Sequence, residues 1–335
     1  MTDPVSWGVL STANIGTAKV IPAMQKSALC RIDAIASRDL GTARRVAGEL
    51  GIPRAYGSYE ELLADPSIEA IYNPLPNHLH VPWTIRAMEA GKHVLCEKPV
   101  AMTADEARQL VAARDRTGRI VTEAFMYRDN PQWQRARQIA RSGAIGEVRA
   151  VQTLFSYFLL DPANVRNMAD IGGGGLMDIG CYAISSARYI FGAEPTRIAA
   201  LIDRDPAMGT DRLTSALMEF PGNRHLTFTV ATQLSVHQRV TIIGTKGRVE
   251  VMVPFNAPVD RPCRIVMDDG SDLHGGSAKI EDMPVGNQYT QQGDAFSRVV
   301  RGEAKLEFPI EDAVLNMRVI DATLRAAESG RWETP

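Results

Sequence analysis

Short β-rich runs alternate with amphipathic helical stretches over the first third of the chain, and this rhythm constrains the fold more than any other feature. We predict helices at residues 16–26, 42–50, 81–90 and 104–117, and strands at residues 5–10, 31–37, 68–73, 92–96 and 119–123. A strand–helix–strand repeat of this kind is typical of a parallel sheet covered by helices on both faces. The sequence therefore predicts an α/β domain over residues 1–124.

The rest of the chain has a different order of elements. Helices are predicted at residues 133–141, 178–191, 288–301 and 310–328, and strands at residues 147–159, 196–203, 214–220, 225–232, 239–243, 248–253 and 264–267. Successive strands without intervening helices favour antiparallel pairing. We therefore predict a second α/β domain over residues 125–335, built on an open, mostly antiparallel sheet. Its C-terminal helix could pack back on the first domain.

Length and composition exclude several classes of protein. A chain of 335 residues is longer than one hydrophobic core usually organises. A net charge of -2 gives no electrostatic reason to expect nucleic acid or a membrane surface as a partner. No apolar run is long enough to span a bilayer, and the N-terminus lacks the pattern of a secretory signal. The four cysteines are scattered, so we expect a reduced, cytoplasmic protein with neither a metal site nor a disulfide.

The first predicted strand ends in a turn that could hold a phosphate group. A dinucleotide fingerprint would place glycine at Ser11 and Ala13 and glycine or alanine at Gly16, so only the third position matches. Small side chains still allow a close approach, and amides at the start of a helix attract anions. A tight packing turn without a ligand is the alternative. The residues expected to bind a pyrophosphate are Ser11, Thr12, Ala13, Asn14 and Ile15.

The end of the second predicted strand suggests which dinucleotide is bound. An NAD site usually has an acidic residue there for the ribose hydroxyls. Here Ser37 and Arg38 occupy that place, and an arginine can bind a 2′-phosphate through charge-assisted hydrogen bonds. We therefore expect NADP(H) as the cofactor. Asp39 lies close enough to keep NAD(H) possible, and a solvated loop arginine is the alternative role for Arg38.

Three further segments carry a family resemblance. They are residues 72–80 (YNPLPNHLH), 91–99 (GKHVLCEKP) and 172–182 (GGGGLMDIGCY). Their order and spacing resemble the family of glucose–fructose oxidoreductase, inositol dehydrogenase and rhizopine-catabolism proteins (Gfo/Idh/MocA), over essentially the whole chain. The resemblance implies a Rossmann domain, an NAD(P)-dependent oxidoreductase acting on a sugar or polyol, and a homodimer or homotetramer. Tyr182 is similar to the tyrosine of sugar and dihydrodiol dehydrogenases, where inositol dehydrogenases carry histidine.

The chemistry of these residues is consistent with that resemblance. Hydride transfer at a carbonyl carbon needs a group that moves a proton on the oxygen, and Tyr182 could do so. A nearby ammonium favours the phenolate form, and Lys98 follows a parallel strand at the edge where such sheets bind ligands. Asp178 precedes Tyr182 by one helical turn and would orient the sugar hydroxyls or Lys98. A core tyrosine and a surface lysine are the alternatives.

The resemblance also implies roles for other positions. It implies that the Lys98–Pro99 peptide is cis, and that Arg166 reaches over the cofactor, although the aromatic residue that precedes this arginine in relatives is Val165 here. The substrate would contact Tyr127 and Phe155 together with the three catalytic residues. No third ligand accompanies the two histidines of residues 78–80, so we expect no metal. The remaining implied cofactor contacts are Pro74, Leu75, Asn77, His78, Glu97 and Lys98.

Several reactions fit these residues. The favoured one is NADP-dependent oxidation of an aldose at its anomeric carbon, or of a trans-dihydrodiol. The alternatives are an NADPH-dependent ketosugar reductase of the 1,5-anhydrofructose type, and an aldose dismutase that holds NADP tightly. A non-catalytic sugar or NADP sensor is the alternative from another class, and an intact proton relay argues against it.

Overall fold

The computed structural model describes residues 3–335, and its internal contacts divide the chain into two compact units. The first unit contains the described residues up to Met126 together with Asn287–Val314. The second contains Tyr127–Gly286 and Leu315–Pro335. Residues 287–314 thus belong to the first unit, whereas the sequence assigned all of residues 125–335 to one domain.

The first unit is built on a six-stranded sheet in which every neighbouring pair is parallel. The strand order is β3-β2-β1-β4-β5-β6. The predicted Rossmann fold is therefore confirmed, with its topological switch point between β1 and β4. The strands are β1 (Val5–Leu10), β2 (Cys30–Ala36), β3 (Arg54–Tyr56), β4 (Ala70–Asn73), β5 (His93–Cys96) and β6 (Val121–Glu123).

Helices connect these strands. The first begins with a π-helical turn, Gly16–Val20, and continues as α1 (Ile21–Met24). The others in this part of the chain are α2 (Leu40–Leu50), α3 (Tyr59–Ala64), α4 (Asn77–Glu89) and α5 (Ala104–Thr117). Strand β3 and helix α3 were not predicted, because three and six residues are too few to show a clear periodicity.

The second unit is built on an eight-stranded sheet with the order β14-β13-β12-β11-β7-β10-β9-β8. Only the β7–β10 pair is parallel, so the predicted open, mostly antiparallel sheet is confirmed. All residues of β14 are exposed, which explains why no strand was predicted there. The strands are β7 (Val148–Phe158), β8 (Arg197–Arg204), β9 (Asp211–Phe220), β10 (Arg224–Ala231), β11 (Gln233–Gly244), β12 (Gly247–Val251), β13 (Arg264–Asp268) and β14 (Lys279–Asp282).

One face of this second sheet is covered by helices. They are α6 (Pro131–Ser142) and α7 (Cys181–Phe191), and α7 is preceded by a π-helical turn, Leu176–Gly180. Every residue of α7 is buried, and the helix packs against β7 and β10. The helix that carries Tyr182 is thus part of the core of its unit.

Two further helices, α8 (Gln288–Val300) and α9 (Ile310–Ser329), lie near the C-terminus. The fully buried Trp7 of β1 explains why α8 belongs to the first unit. Its indole nitrogen donates a hydrogen bond to Ser297 Oγ at 3.3 Å, and its ring lies 5.3 Å from that of Phe296. Within residues 3–335, none of the helices combines the length and apolar character needed to cross a membrane.

Candidate functional site

The turn after β1 has the backbone of a dinucleotide-binding loop although it lacks the expected glycine. Ser11 has a φ of 77°, in the left-handed region that glycine usually supplies. Its amide donates to the carbonyl of Ala36 at 2.9 Å, and its hydroxyl accepts a hydrogen bond from the amide of Ala13 at 3.2 Å. A serine thus adopts the conformation that the fingerprint reserves for its first glycine.

This turn suits the phosphates of a dinucleotide. The first amides of a helix have no acceptor within the helix, and here they follow Thr12 and Ala13, which are partly exposed. Gly16, at the third fingerprint position, is buried against Tyr72 and Pro74. The side chains around the turn are small and uncharged, so a pyrophosphate could approach the backbone. The residues present therefore fit a dinucleotide.

Arg38 and Asp39, which lie between β2 and α2, have different environments. Asp39 is the N-cap of α2, and its carboxylate accepts a hydrogen bond from the amide of Thr42 at 2.6 Å. Hydrogen bonds with the side chain and then the backbone of Thr42 lower the pKa of Asp39. Arg38 is exposed and makes no hydrogen bond or ion pair with any residue in 3–335. The acidic group that could favour NAD is thus engaged in capping, whereas the arginine that could bind a 2′-phosphate is available.

The loops after β4 and β5 bring several predicted cofactor residues together. Pro74 and Leu75 are buried, and Asn77 and His78 begin α4 half-buried. The Nδ1 atom of His78 is buried and has no hydrogen-bond partner within the described part of the chain. Such an unsatisfied atom is costly in a folded protein unless a ligand or water completes it. The predicted nicotinamide end of the site therefore contains a polar atom suited to a ligand.

His80 connects these two loops, and sequence reasoning gave it no role. Its ring nitrogens lie 2.6 Å from the carbonyl oxygen of Leu75 and 2.8 Å from that of Pro99. Burial lowers the pKa of His80 to about 4, against the opposite effect of the hydrogen bonds to Pro99 and Leu75. The Lys98–Pro99 peptide is cis, as the resemblance implied. His80 thus fixes the loop of Leu75 relative to the loop that carries Lys98.

Glu97 stabilises the backbone beside Lys98. One carboxylate oxygen accepts a hydrogen bond from the hydroxyl of Tyr72 at 2.6 Å, and the other accepts one from the amide of Lys98 at 3.2 Å. The carboxylate is buried, whereas the Lys98 side chain is half-buried. The predicted cofactor contact Glu97 therefore also holds the Lys98 loop in place.

In the second unit, Asp178 and Tyr182 lie on one continuous helical segment. Asp178 is in the π-helical turn, and Tyr182 is in the first turn of α7. π-Helical turns within helices are frequent at functional sites because they alter the spacing of side chains. Tyr182 is 5% exposed, so its hydroxyl is largely shielded from bulk water.

The Asp178 carboxylate is held by two donors. Its Oδ2 atom accepts hydrogen bonds from the Tyr157 hydroxyl at 2.7 Å and from Arg166 Nε at 3.0 Å. Burial and then the charge of Asp178 raise the pKa of Tyr157, so its hydroxyl stays protonated and donates. The same charge raises the pKa of Arg166. The structure thus places Arg166, predicted as a cofactor contact, beside Asp178. Tyr157 is a site residue that sequence reasoning did not single out.

Aromatic rings surround Tyr182. Its ring lies 5.0 Å from Phe255 and 6.1 Å from both Tyr127 and Phe155. Tyr127 was predicted to contact the substrate, but it is fully buried and its hydroxyl is 2.7 Å from Ser185 Oγ. With no exposed surface, Tyr127 packs in the core beside Tyr182, and its contact with the substrate stays a prediction. Within residues 3–335, no three His, Cys, Asp or Glu side chains are grouped so that they could hold a metal ion.

A parallel dinucleotide-binding sheet and a separate unit carrying a buried tyrosine define a class, the two-domain oxidoreductases with a Rossmann domain. Residues 5–125 match the oxidoreductase family with an NAD-binding Rossmann fold, and residues 133–250 match the GFO/IDH/MocA C-terminal domain. The chain belongs to the Gfo/Idh/MocA family of oxidoreductases, and its cofactor is a nicotinamide dinucleotide.

Individual relatives are similar over nearly the whole chain. An uncharacterised oxidoreductase of Rhizobium meliloti is 49% identical and covers 99% of both chains. The D-xylose 1-dehydrogenase (NADP(+)) 2 of Haloferax volcanii is 38% identical over 97% of this chain and 98% of its own. Among solved structures, the aldose–aldose oxidoreductase of Caulobacter crescentus superposes with a TM-score of 0.91 at 26% identity, over 99% of this chain and 100% of that one.

Proposed function

We propose that this protein is an NADP-dependent oxidoreductase that transfers a hydride between the nicotinamide and a sugar-like alcohol or carbonyl, with Tyr182 as the acid/base. Oxidation of an aldose at its anomeric carbon, or of a trans-dihydrodiol, is the favoured reaction. The observation that carries the proposal is the shielded Tyr182 hydroxyl on the same helical segment as Asp178, whose carboxylate is held by Tyr157 and Arg166.

Residues of this chain carry out the proton transfer. In oxidation, Tyr182 takes the proton from the reacting hydroxyl oxygen, and in reduction it returns that proton. Lys98 supplies the positive charge that favours the phenolate form of the tyrosine. Asp178, kept in one orientation by its two donors, accepts a hydrogen bond from a neighbouring sugar hydroxyl. When bound, the nicotinamide supplies or accepts the hydride.

Binding of the cofactor involves three groups of residues. The turn from Ser11 to Ile15 holds the pyrophosphate, and Arg38 with Ser37 holds the 2′-phosphate. The loops after β4 and β5 line the nicotinamide end through Pro74, Leu75, Asn77, His78 and Glu97. The NADP preference is supported by the use of Asp39 as a helix cap, and by the NADP(+) of the xylose dehydrogenase's name.

The paired roles of Lys98 and Tyr182 are supported by a relative of known structure. A 3-ketoreductase of Actinomadura kijaniata, solved with NADP and TDP-benzene, is 27% identical and superposes with a TM-score of 0.90, covering 96% of this chain and 98% of its own. Structures of that enzyme include one variant in which a lysine is replaced and another in which a tyrosine is replaced. The two replaced residues are separated by the same number of positions as Lys98 and Tyr182.

Two alternatives within the same chemistry are favoured by relatives. A dTDP-sugar 3-reductase of Streptomyces violaceoruber, 34% identical over 88% of this chain and 84% of its own, supports an NADPH-dependent ketosugar reductase. The aldose–aldose oxidoreductase supports a dismutase that keeps its NADP between two half-reactions. Both alternatives would use Tyr182 in the same way. Cofactor that stays bound through gel filtration would favour the dismutase.

The test is the initial rate of nicotinamide reduction by the purified protein with D-xylose, D-glucose and a trans-dihydrodiol, followed by the reverse reaction with NADPH and a ketosugar. We expect Tyr182→Phe to lower kcat by about 100-fold or more. Tyr189→Phe is a matched control: it lies on the same helix, has the same 5% exposure, and its ring is also 6.1 Å from Tyr127. An active Tyr182→Phe enzyme would refute the assignment.

A further inference from the structure

The glycine run of residues 172–175 is enclosed by protein on two sides. A Cβ on Gly173 would lie 2.6 Å from the carbonyl oxygen of Met168 and 2.7 Å from that of Arg166. A Cβ on Gly174, whose φ is 118°, would overlap the carboxylate of Asp211. The glycines therefore allow two groups to approach the backbone where the helical segment begins: the segment that carries Arg166 on one side, and Asp211 on the other.

Asp211, the first residue of β9, is 4% exposed and is fixed by two hydrogen bonds. Its Oδ2 atom accepts one from the amide of Leu176 at 2.6 Å and one from the Thr214 hydroxyl at 2.7 Å. Leu176 begins the π-helical turn that contains Asp178 and leads into α7. A carboxylate at the start of a helix is stabilising because the first amides carry partial positive charge. Asp211 thus ties the start of the helix to the second sheet.

Asp211 also makes a small contribution to the electrostatics of the site, although burial raises its own pKa. Tyr157 donates to Asp178, and its raised pKa results first from burial, then from Asp178, with a further contribution from Asp211. The glycine run also connects Asp211 to Arg166, because the amide of Gly174 donates to the carbonyl of Arg166 at 2.8 Å. Tyr157 and Arg166, which both hold the Asp178 carboxylate, are therefore linked to Asp211, the first by charge and the second by a short stretch of backbone.

We propose that Asp211 is a positioning residue for the reaction, which sets the start of the helical segment so that Asp178 and Tyr182 meet the substrate in the correct orientation. This proposal rests on the function proposed above. Because Asp211 is 4% exposed, we expect it to act through the helical segment and not by contact with the substrate. Its effect should appear in kcat and in the KM for the sugar, whereas the KM for NADP, which is bound by the first unit, should be unchanged.

The experiment compares Asp211→Asn and Asp211→Ala with a matched control, Asp268→Asn. Asp268 is also a buried carboxylate of the second sheet, and it likewise accepts hydrogen bonds from one backbone amide, Gly270 at 2.8 Å, and one hydroxyl, Ser277 at 2.6 Å. Asp268 also forms an ion pair with Arg248 at 2.6 Å, so a purely structural role would make Asp268→Asn at least as damaging as Asp211→Asn. We expect Asp211→Asn to lower kcat by about 10- to 100-fold, Asp211→Ala to lower it further, and Asp268→Asn to change it less than threefold.

A second measurement is independent of turnover. Hydrogen–deuterium exchange of a peptide covering residues 172–182 should accelerate in Asp211→Ala and stay unchanged in Asp268→Asn. Unaltered exchange in Asp211→Ala, or equal kinetic losses in the Asp211 and Asp268 asparagine variants, would overturn the proposal. Tyr182→Phe is assayed in the same experiment. If that variant retains turnover, the proposed function is refuted, and the hydrogen exchange of residues 172–182 then tests the role of Asp211 separately.

Discussion

Single residues decide how this chain departs from the common dinucleotide fingerprint. Ser11 adopts a φ of 77°, a conformation that costs a non-glycine residue roughly 1–2 kcal/mol. The hydrogen bond between its hydroxyl and the amide of Ala13 offsets part of that cost. A pattern based on glycines therefore understates the nucleotide site here, because the backbone conformation is preserved while the residue type is not.

Arg38 provides the prediction that belongs to this scale. We expect Arg38→Ala to raise the KM for NADP by about 10- to 100-fold and to leave the KM for NAD nearly unchanged, since only NADP carries the 2′-phosphate. The measurement is the initial rate at varied concentrations of each cofactor. Arg44→Ala, which removes an exposed arginine from α2, is the control and should alter neither constant. An equal change for both cofactors would make Arg38 a general surface charge.

The residues that sequence reasoning missed share a physical reason. Lys98, Asp178 and Tyr182 lie in runs whose order and spacing are informative. His80, Tyr157 and Asp211 act through partners that are distant along the chain, such as Pro99 for His80 and Leu176 for Asp211. A lone tyrosine or aspartate has no local pattern that distinguishes it from a surface residue, and His80, although it lies within residues 72–80, contacts Pro99 only in the folded chain. Only the tertiary contacts reveal these roles.

At the scale of elements, long periodic segments were predictable and short ones were not. The bounds of β1 and α5 agree with the sequence prediction residue for residue. The short elements β3 and α3 are instead held together by side chains around Asp65. That residue accepts hydrogen bonds from Tyr56 Oη at 2.7 Å and from the Ser67 hydroxyl at 2.7 Å, and it pairs with Arg54.

The cluster of Asp65, Tyr56, Ser67 and Arg54 makes the stability of the first unit depend on pH. Burial alone would raise the pKa of Asp65, but hydrogen bonds from Tyr56 and Ser67 and the charge of Arg54 outweigh burial and lower the pKa to about 2. Because the folded pKa lies below the unfolded value of about 3.9, the stabilisation is present above that value and is lost as the pH falls towards 2.

We expect Asp65→Asn to reduce the free energy of unfolding by roughly 1–2 kcal/mol at pH 7, after allowance for solvent screening, and by much less near pH 2. Urea denaturation of both proteins at a series of pH values measures the difference. Asp115→Asn, at a largely exposed carboxylate on α5, is the control and should cost less than about 0.5 kcal/mol. A deficit for Asp65→Asn that is independent of pH would contradict the ionic origin of the effect.

At the scale of the whole molecule, the second sheet has α6 and α7 packed on one face and exposed apolar side chains on the other. Leu154 on β7, Leu201 on β8 and Leu217 on β9 are all more than a third exposed there, and Trp332 lies beside them. In the sheet register Ala199 pairs with Leu217 and Leu201 with Ser215, so the apolar side chains of β8 and β9 form one patch. Contiguous exposed apolar surface of this kind is typical of an interface between proteins.

We propose that a second copy of this chain covers that face, as the family resemblance implies, and we expect Leu201→Arg to break the assembly. Light scattering after gel filtration should give the wild type a mass of two or four times 36.6 kDa and the variant half of the wild-type mass. Burying an unpaired arginine costs several kcal/mol, enough to shift a typical dimer to monomers. Leu273→Arg, at a 98% exposed leucine in the loop between β13 and β14, should leave the wild-type mass unchanged. A monomeric wild type, or an assembly that survives Leu201→Arg, would contradict the proposal that a second copy covers this face.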